Sequence, residues 1–401
     1  MLTRRQVAGP AWWSVVARLP VYLMSLAMVL LVREQGGSYA QSGTVAAAYT
    51  VCMAVGSPLI ARRADRAGPR AVLIGTGLVH PSALAVLVWA TEPGGWAQPA
   101  MAGLAGLALP PANSVMRSLW ARLPLADDER QLAYLWEALL TEVLVIGAPL
   151  LLAGLMLAGT AGLALTAAAV TGGAGALGLA FTRAAAGGVR PAPADADDAP
   201  APGVLGPLRN PALLALTAIM ATCAVPIGLM TLAIPAFVDA HGARAGTGLV
   251  YACWGVGSAL GALCLGRAQS EVAVHRRFPR QVLGYALGTA LPLLATSEGT
   301  LAVALALGSA PIALVSASEM TLVGAVAEER LLTEAFTWAS LATVTGDALG
   351  QQMGGLLMAP LGPHGVFGAA FAVALAGAAL AFACRGLLAR GTRPVPAEAV
   401  A

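Results

Sequence analysis

The sequence predicts an all-α membrane protein in which twelve transmembrane helices form two six-helix bundles related by a pseudo-two-fold parallel repeat. Three observations predict this fold class: a very apolar composition, apolar runs of membrane-spanning length, and a pattern that occurs once in each half. Hydrophobic residues make up 58% of the 401 residues, charged residues make up 11%, and the mean hydropathy is +0.76. A soluble fold needs more polar residues than this to cover its surface, so we expect the chain to lie in a lipid bilayer.

A transmembrane helix needs about 20 predominantly apolar residues, and polar residues divide this chain into runs of that kind, which we number spans 1 to 12. Spans 1 to 6 are placed at residues 12–32, 43–61, 71–90, 98–117, 132–156 and 160–182, and spans 7 to 12 at 211–238, 246–266, 281–297, 301–323, 335–359 and 366–388. Prolines in spans 1, 4, 7 and 10 predict local breaks that expose backbone carbonyls. They are Pro20, Pro110, Pro111, Pro226 and Pro311.

The two halves of the chain share a sequence pattern. Pro-x-x-Leu-Met-Ser-Leu-Ala at residues 20–27 recurs as Pro-x-x-Leu-Met-Thr-Leu-Ala at 226–233, and Gly56 matches Gly261. We interpret the pattern as one ancestral half used twice.

A polar segment separates the halves. Residues 183–210 are rich in proline, alanine, glycine and aspartate, so they cannot bury enough apolar surface to offset the entropy of ordering them. The sequence therefore predicts an N-terminal bundle at 1–182, a flexible cytoplasmic linker at 183–210, and a C-terminal bundle at 211–401 that ends in a short cytoplasmic tail.

The distribution of arginine predicts the orientation. All 23 basic residues are arginines, and 20 of them lie in the N-terminal segment, the loops after spans 2, 4, 6, 8 and 10, and the C-terminal tail, or at the span ends next to these segments. Because positive residues concentrate on the cytoplasmic side, we expect a multi-pass protein of the cell membrane with both termini in the cytoplasm.

Several function classes are disfavoured. The acidic clusters at 127–129 and 195–198 lie in predicted loops without a phosphate-cradling glycine loop, and neither H-E-x-x-H nor G-x-S-x-G occurs. The five cysteines have no metal or disulfide spacing, and the basic residues gather on no single face. We predict no enzyme activity, no cofactor, no bound metal and no nucleic-acid partner.

Ionisable residues inside spans are candidate functional residues, because a charge in the bilayer either pairs or takes up a proton. Arg18 in span 1 and Glu137 in span 5 lie at similar depths and could pair, although Arg18 could instead extend towards the headgroups. Glu142 in span 5 is predicted near the midplane. Glu319 lies near the end of span 10, where we expect it to reach the membrane interface.

A polar stripe runs along span 11. Thr343, Asp347, Gln351 and Gly354 share one helical face, and Asp347 is predicted near the midplane. Asp347 could take up and release a proton, with Gln351 beside it, or it could fix helix packing through hydrogen bonds. The sequence leaves both alternatives open.

The loop between spans 2 and 3 reads Ala-Arg-Arg-Ala-Asp-Arg-Ala-Gly-Pro-Arg at 61–70. It resembles the G-x-x-x-D-R-x-G-R-R signature of the major facilitator superfamily, at the location where that family carries it, although Ala61 and Pro69 depart from the pattern. Residues 116–123 and 130–149 are similar to drug-exporter-like members, whereas span 4 lacks the arginine of many proton-coupled members.

The resemblance implies two bundles that rock about a central cavity lined by spans 1, 4, 7 and 10. It also implies that Asp65, Arg66, Gly68 and Arg70 form a gating motif, in which Asp65 helps to hold one end closed near the start of span 11.

The sequence thus predicts a secondary active transporter that acts as a monomer and expels a small organic or amphipathic compound by proton antiport with alternating access. Its partners are the substrate, protons and the bilayer. One alternative is proton-coupled uptake of a sugar or small metabolite, which would favour more hydrogen-bonding groups facing inward. Another is a polytopic receptor or enzyme that transports nothing.

Overall fold

The computed structural model describes residues 5–22, 24–122, 140, 143–144, 147–148, 151–152, 154–155, 160–182, 185, 207–242, 246–268, 273–328 and 331–391. These residues form helices and the turns between them, with no strand in the described part, which confirms the predicted fold class. Every predicted span except span 5 corresponds to described helices. Most of span 5, with Glu137 and Glu142, and most of the 183–210 linker lie outside the described residues.

The chain divides into two compact units. The N-terminal unit comprises Met1–Asp197 and Ala243–Ala252, and the C-terminal unit comprises Asp198–Gly242 and Cys253–Ala401. Six helices of the described ranges are long and apolar enough to cross a membrane. A seventh crossing is a helix pair, Ala8–Val21 and Met24–Glu34, bent by 45°.

The N-terminal unit packs its described helices around a core of small and aliphatic side chains from spans 1, 2, 3, 4 and 6. These helices are Arg5–Arg18, a 3-10 turn at Leu19–Tyr22, Met24–Glu34, Tyr39–Ala67, Pro69–Trp89, Ala97–Leu107, Ala112–Arg122 and Ala161–Ala180. The bend in span 1 falls at the 3-10 turn that contains Pro20, as its proline predicts.

The C-terminal unit places Phe278, Tyr285 and leucines of spans 7 and 10 in its core. Its helices are Pro211–Ala240, Thr247–Ala268, Val274–Ala290 with a 3-10 turn at Leu291–Leu294, Glu298–Gly308, Ile312–Val326, Leu332–Ala383 and Arg385–Gly391. Spans 11 and 12 are two helices within Leu332–Ala383, separated at Gly362, where the backbone is not helical and the φ of 64° favours glycine. The helix of span 9 begins before its predicted start at 281, because an arginine-bearing turn precedes its apolar run.

Span 4 breaks where its prolines predict. Its helix ends at Leu107 and resumes at Ala112, so the Ala105 carbonyl loses its regular partner: the Leu109 N–H donates to Gly106 instead, at 3.1 Å. His80 Nδ1 donates to the Ala105 carbonyl at 2.8 Å. The buried histidine thereby satisfies a carbonyl that the break would otherwise leave unpaired.

Span 10 breaks in the same way. Its helix ends at Gly308 and resumes at Ile312, on either side of Pro311. The Ser309 hydroxyl donates to the Ala306 carbonyl at 3.3 Å. In both units, therefore, a side chain hydrogen-bonds to a carbonyl beside the proline break.

Glycines bring paired helices into backbone contact. A Cβ on Gly56 of span 2 would overlap the Leu107 carbonyl oxygen, and one on Gly261 of span 8 would overlap the Ala310 carbonyl oxygen. Each of these glycines, which the sequence repeat pairs, therefore packs its helix against the break in span 4 or span 10. The repeat preserves a packing feature as well as a sequence pattern.

Spans 7 and 11 pack backbone against backbone at a row of glycines, which we call the glycine seam. A Cβ at each glycine of the seam would overlap a carbonyl oxygen of the facing helix, so no larger residue fits without displacing backbone. The pairs are Gly346 with Ala221, Gly350 with Val225, and Gly228 with Asp347.

Candidate functional site

A buried carboxylate lies inside the C-terminal unit. Glu319, on helix Ile312–Val326, is only 6% exposed. Among the described residues no hydrogen-bond or ion-pair partner meets its carboxylate. The expectation that Glu319 reaches the membrane interface is wrong, because the helix continues to Val326 and turns this side chain towards spans 7, 9 and 11.

Glu319 lines a small cavity. About 40 Å³ of the cavity is accessible to water-sized molecules, which is room for water or a small polar group. Its polar side chains besides Glu319 are Tyr285, Ser316 and Thr343, and the rest of the lining is mainly apolar. The apolar and small lining residues are Met220, Cys223, Ala224, Ile227, Ile312 and Val315.

Tyr285 lines this cavity and a second one. Its hydroxyl donates to the Cys223 carbonyl of span 7 at 3.0 Å. The second cavity, about 20 Å³, also has Tyr285 and Ile312 in its lining and contains the indole of Trp254. The two cavities therefore share Tyr285 in their linings.

Asp347 has a different environment from Glu319. It is partly exposed, and its carboxylate accepts a hydrogen bond from Gln351 Nε2 at 2.9 Å. Gln351 is 1% exposed, so this donor is fixed by packing. The predicted stripe lies along span 7, where Gly354 packs against Leu229, and Thr343 lines the Glu319 cavity.

Arg18 is buried at the end of helix Arg5–Arg18. Its side chain is 2% exposed, which fits a buried pair better than extension towards the headgroups. Glu137, the other member of the predicted pair, lies outside the described residues, as Glu142 does. The pairing therefore stays a prediction.

The predicted gating motif lies at a tight helix junction instead of a loop. The helix of span 2 continues to Ala67, and the helix of span 3 begins at Pro69, because arginine-rich ends extend both helices beyond the apolar runs. Between them Gly68 has a φ of 91°, which a side chain would strain. The Arg70 guanidinium lies over the Phe181 ring at 5.4 Å, and Asp65 and Arg66 occupy the last turn of the first helix.

The sequence did not identify Glu319 and Tyr285 as a site. Glu319 lies close to the end of an apolar run, and a hydropathy pattern gives no information on which neighbour a side chain faces. One signal in the sequence indicates this region: span 10 carries both Glu319 and the Pro311 break, and span 11 carries the polar residue Thr343. That signal does not identify Tyr285.

Comparisons with known proteins agree with this architecture. The family model described as Major Facilitator Superfamily matches residues 13–290. No curated protein matches the chain by sequence.

Similar solved structures include peptide transporter POT in complex with sulfate, with 14% identity, a TM-score of 0.76, and coverage of 97% of this chain and 96% of that chain. Nucleoside transporter NupG has 12% identity and a TM-score of 0.74 over 94% of this chain and 98% of that one. A bacterial homologue of the iron transporter ferroportin, in its inward-facing state, has 14% identity and a TM-score of 0.71 over 95% and 98%. The fold and the family match together show that this chain is a membrane transporter, not an enzyme, and that it belongs to the major facilitator superfamily.

Proposed function

We propose that this transporter exports a small organic or amphipathic compound across the cell membrane by proton antiport, and that Glu319 binds the exchanged proton. In this proposal the bundles at 1–182 and 211–401 open alternately to the two sides, while both termini and the 183–210 linker stay in the cytoplasm. The observation that carries the proposal is the buried Glu319 carboxylate, which has no hydrogen-bond or ion-pair partner in the described part of the chain.

The physical argument concerns the cost of an isolated charge. An acidic side chain at the centre of a membrane helix costs about 2.5–3.5 kcal/mol on insertion scales, unless it pairs or is neutralised. The described lining of the Glu319 cavity contains no basic residue. A proton is then the available counter-charge, and its uptake from one side and release to the other would couple proton movement to export.

Spans 1, 4, 7 and 10, which the family resemblance gives as the lining of the central cavity, carry few hydrogen-bonding side chains. This favours export of an amphipathic compound over uptake of a sugar, because sugar recognition needs many fixed hydrogen-bonding groups. Gln351 and Asp347 satisfy each other and leave few free polar groups near the Glu319 cavity. Arg18, Glu137 and Glu142 remain candidates for coupling in the N-terminal unit.

Expression in a drug-sensitive host tests the proposal first. A panel of organic compounds identifies those to which the chain confers resistance, and these are then assayed for accumulation in right-side-out and inverted vesicles. We expect energised accumulation in inverted vesicles. Accumulation in right-side-out vesicles would support the uptake alternative, and no transport in either orientation would overturn the transporter proposal itself.

The Asp347→Asn variant separates packing from proton binding at that residue. Gln351 Nε2 donates to the Asp347 carboxylate, and the asparagine side-chain oxygen can accept the same hydrogen bond. We therefore expect pH-gradient-driven transport within about twofold of the parent. The measurement is initial transport rate against external pH. An altered pH dependence would make Asp347 the coupling residue in place of Glu319, whereas an unaltered one agrees with Glu319 as the proton site.

The Asp65→Asn variant tests the gate implied by the family motif. The family resemblance implies that the Asp65 carboxylate holds one end closed near the start of span 11. A carboxylate near a helix N-terminus contributes about 0.3–1 kcal/mol, so its loss should slow transport by about two- to fivefold and leave folding intact. Transport rate is measured at matched membrane abundance, with Glu92→Gln, at an exposed loop position, as the control. Normal turnover in Asp65→Asn would make the charged junction an orientation signal only.

A further inference from the structure

The Tyr285 hydroxyl and the Glu319 carboxylate line the same small cavity, and no hydrogen bond joins them in the structure. The hydroxyl donates to the Cys223 carbonyl of span 7 at 3.0 Å. A bond to Glu319 requires the flexible Glu319 side chain to turn towards the hydroxyl, whose hydrogen can then rotate about the C–O bond. Tyr285 is 4% exposed, so water does not compete freely for this hydrogen.

The strength of the competing acceptor depends on the charge of Glu319. A hydrogen bond to a carboxylate is roughly twice as strong as one to a neutral carbonyl. The groups that face Glu319 from the packed helices are Cys223 on span 7, Tyr285 on span 9 and Thr343 on span 11, and Asp347 also acts electrostatically on Tyr285. The Thr343 hydroxyl donates within its own helix, to Ala339 at 3.2 Å. The Tyr285 hydroxyl instead donates to a carbonyl of another helix, so a change of its acceptor would alter a contact between helices.

The Cys223 carbonyl lies at a weak turn of span 7. Pro226 has no N–H, so the Thr222 carbonyl, next to Cys223, loses its helical partner. The bond from Tyr285 therefore ties span 9 to a turn of this helix that already lacks a backbone hydrogen bond. Release of the bond would let this turn bend.

The glycine seam would carry such a bend into span 11. Val225 packs against Gly350 and Gly228 packs against Asp347, on either side of Pro226. These backbones touch without intervening side chains, so little slack separates the two helices. A bend at the Cys223 turn would move span 11 together with span 7.

We propose that Tyr285 is a positioning residue that converts the charge state of Glu319 into a bend of span 7. When Glu319 is protonated, Tyr285 donates to the Cys223 carbonyl and fixes the turn. When Glu319 is ionised, Tyr285 donates to the carboxylate and the turn is released. The inference rests on the proposed function, in which Glu319 binds the transported proton.

Infrared spectroscopy of the full-length protein in lipid vesicles tests this inference without a substrate. The carbonyl carbon of cysteine is labelled with ¹³C in a variant that keeps Cys223 and replaces Cys52, Cys253, Cys264 and Cys384 by alanine. Loss of a hydrogen bond raises the amide I frequency of the labelled carbonyl. In the same spectra, the C=O stretch of a protonated carboxyl, identified by its loss in Glu319→Gln, reports the titration of Glu319.

We expect the Cys223 band to move to higher frequency as the Glu319 carboxyl band disappears with rising pH. Glu319→Gln should hold the Cys223 band at its low-pH position at every pH. Tyr285→Phe should hold it at the high-pH position while the carboxyl band still titrates. The same substitution at Tyr49, whose buried hydroxyl has no partner in the described residues, is the matched control and should leave the shift unchanged.

The outcomes separate the two proposals. If the Glu319 carboxyl titrates but the Cys223 band does not move, or moves equally in Tyr285→Phe, the relay through Tyr285 is wrong and the proposed proton site stands. If no carboxyl band is lost in Glu319→Gln at any pH, the proposed proton site is wrong. Should Tyr285→Phe fail to fold, the Glu319→Gln arm decides, since a pH-dependent Cys223 band in that variant would also overturn the relay.

Discussion

Replacement of Glu319 by glutamine is expected to abolish transport driven by a pH gradient, to the level of vesicles without the protein. Glutamine preserves the shape of the side chain but cannot exchange a proton, so the 6% exposed site would lose its titration and keep its packing. Exchange of substrate across the membrane without a pH gradient should continue, because that process needs no net proton movement. The measurement compares gradient-driven accumulation with exchange of a radiolabelled compound selected by the resistance screen.

Glu92→Gln serves as the control for the Glu319 prediction. It makes the same chemical change at an exposed position of the N-terminal unit, so both activities should match the parent. Gradient-driven accumulation that survives in Glu319→Gln would exclude Glu319 as the proton site. A loss of both activities, with normal folding, would indicate a role in substrate binding instead of coupling.

The second large effect is expected for Gly350→Ala, in the glycine seam between spans 7 and 11. A Cβ at position 350 would overlap the Val225 carbonyl oxygen, and backbone cannot move aside as a flexible side chain can. Overpacking of a well-packed core costs about 1–3 kcal/mol, and we expect Gly350→Ala to lie at the upper end of that range. The measurement is the temperature at which half of the detergent-solubilised protein is lost from the monodisperse peak in size-exclusion chromatography.

Gly75→Ala is the matched control for the seam. Gly75 also lies inside a spanning helix, but a Cβ there meets no atom within 4 Å. Since alanine is favoured over glycine in helix interiors by about 0.8–1 kcal/mol, this variant should be at least as stable as the parent. Equal melting temperatures for Gly350→Ala and Gly75→Ala would contradict the close packing of spans 7 and 11.

Features that depend on local sequence could be predicted. Pro110, Pro111 and Pro311 predict breaks in spans 4 and 10, and the structure has both. The break predicted at Pro226 in span 7 is wrong: helix Pro211–Ala240 runs through it, because one missing N–H removes one hydrogen bond and the remaining bonds can hold the helix. The pairing of Gly56 with Gly261 predicts a repeated half, and both glycines pack against the proline break of another span. Composition and periodicity also predict the fold class, since the bilayer imposes the length of each helix.

The site depends on tertiary packing, which the sequence reports poorly. Asp347 was the prominent intramembrane acid because it lies at mid-span in a polar stripe, yet Gln351 provides it with a hydrogen bond. Glu319 was discounted for its position near the end of a run, yet it is more deeply buried than Asp347. Which acid meets a donor depends on the rotation of spans 9, 10 and 11 against span 7, and apolar runs that are hydrophobic on every face do not encode that rotation.

Proton movement in proteoliposomes tests the central claim most directly. Purified protein is reconstituted with a pH-sensitive dye trapped inside, no pH gradient is imposed, and a compound from the resistance screen is added outside. Proton antiport predicts that the interior becomes alkaline as the compound enters, with no such change in Glu319→Gln. An interior that turns acidic would indicate symport and contradict the account.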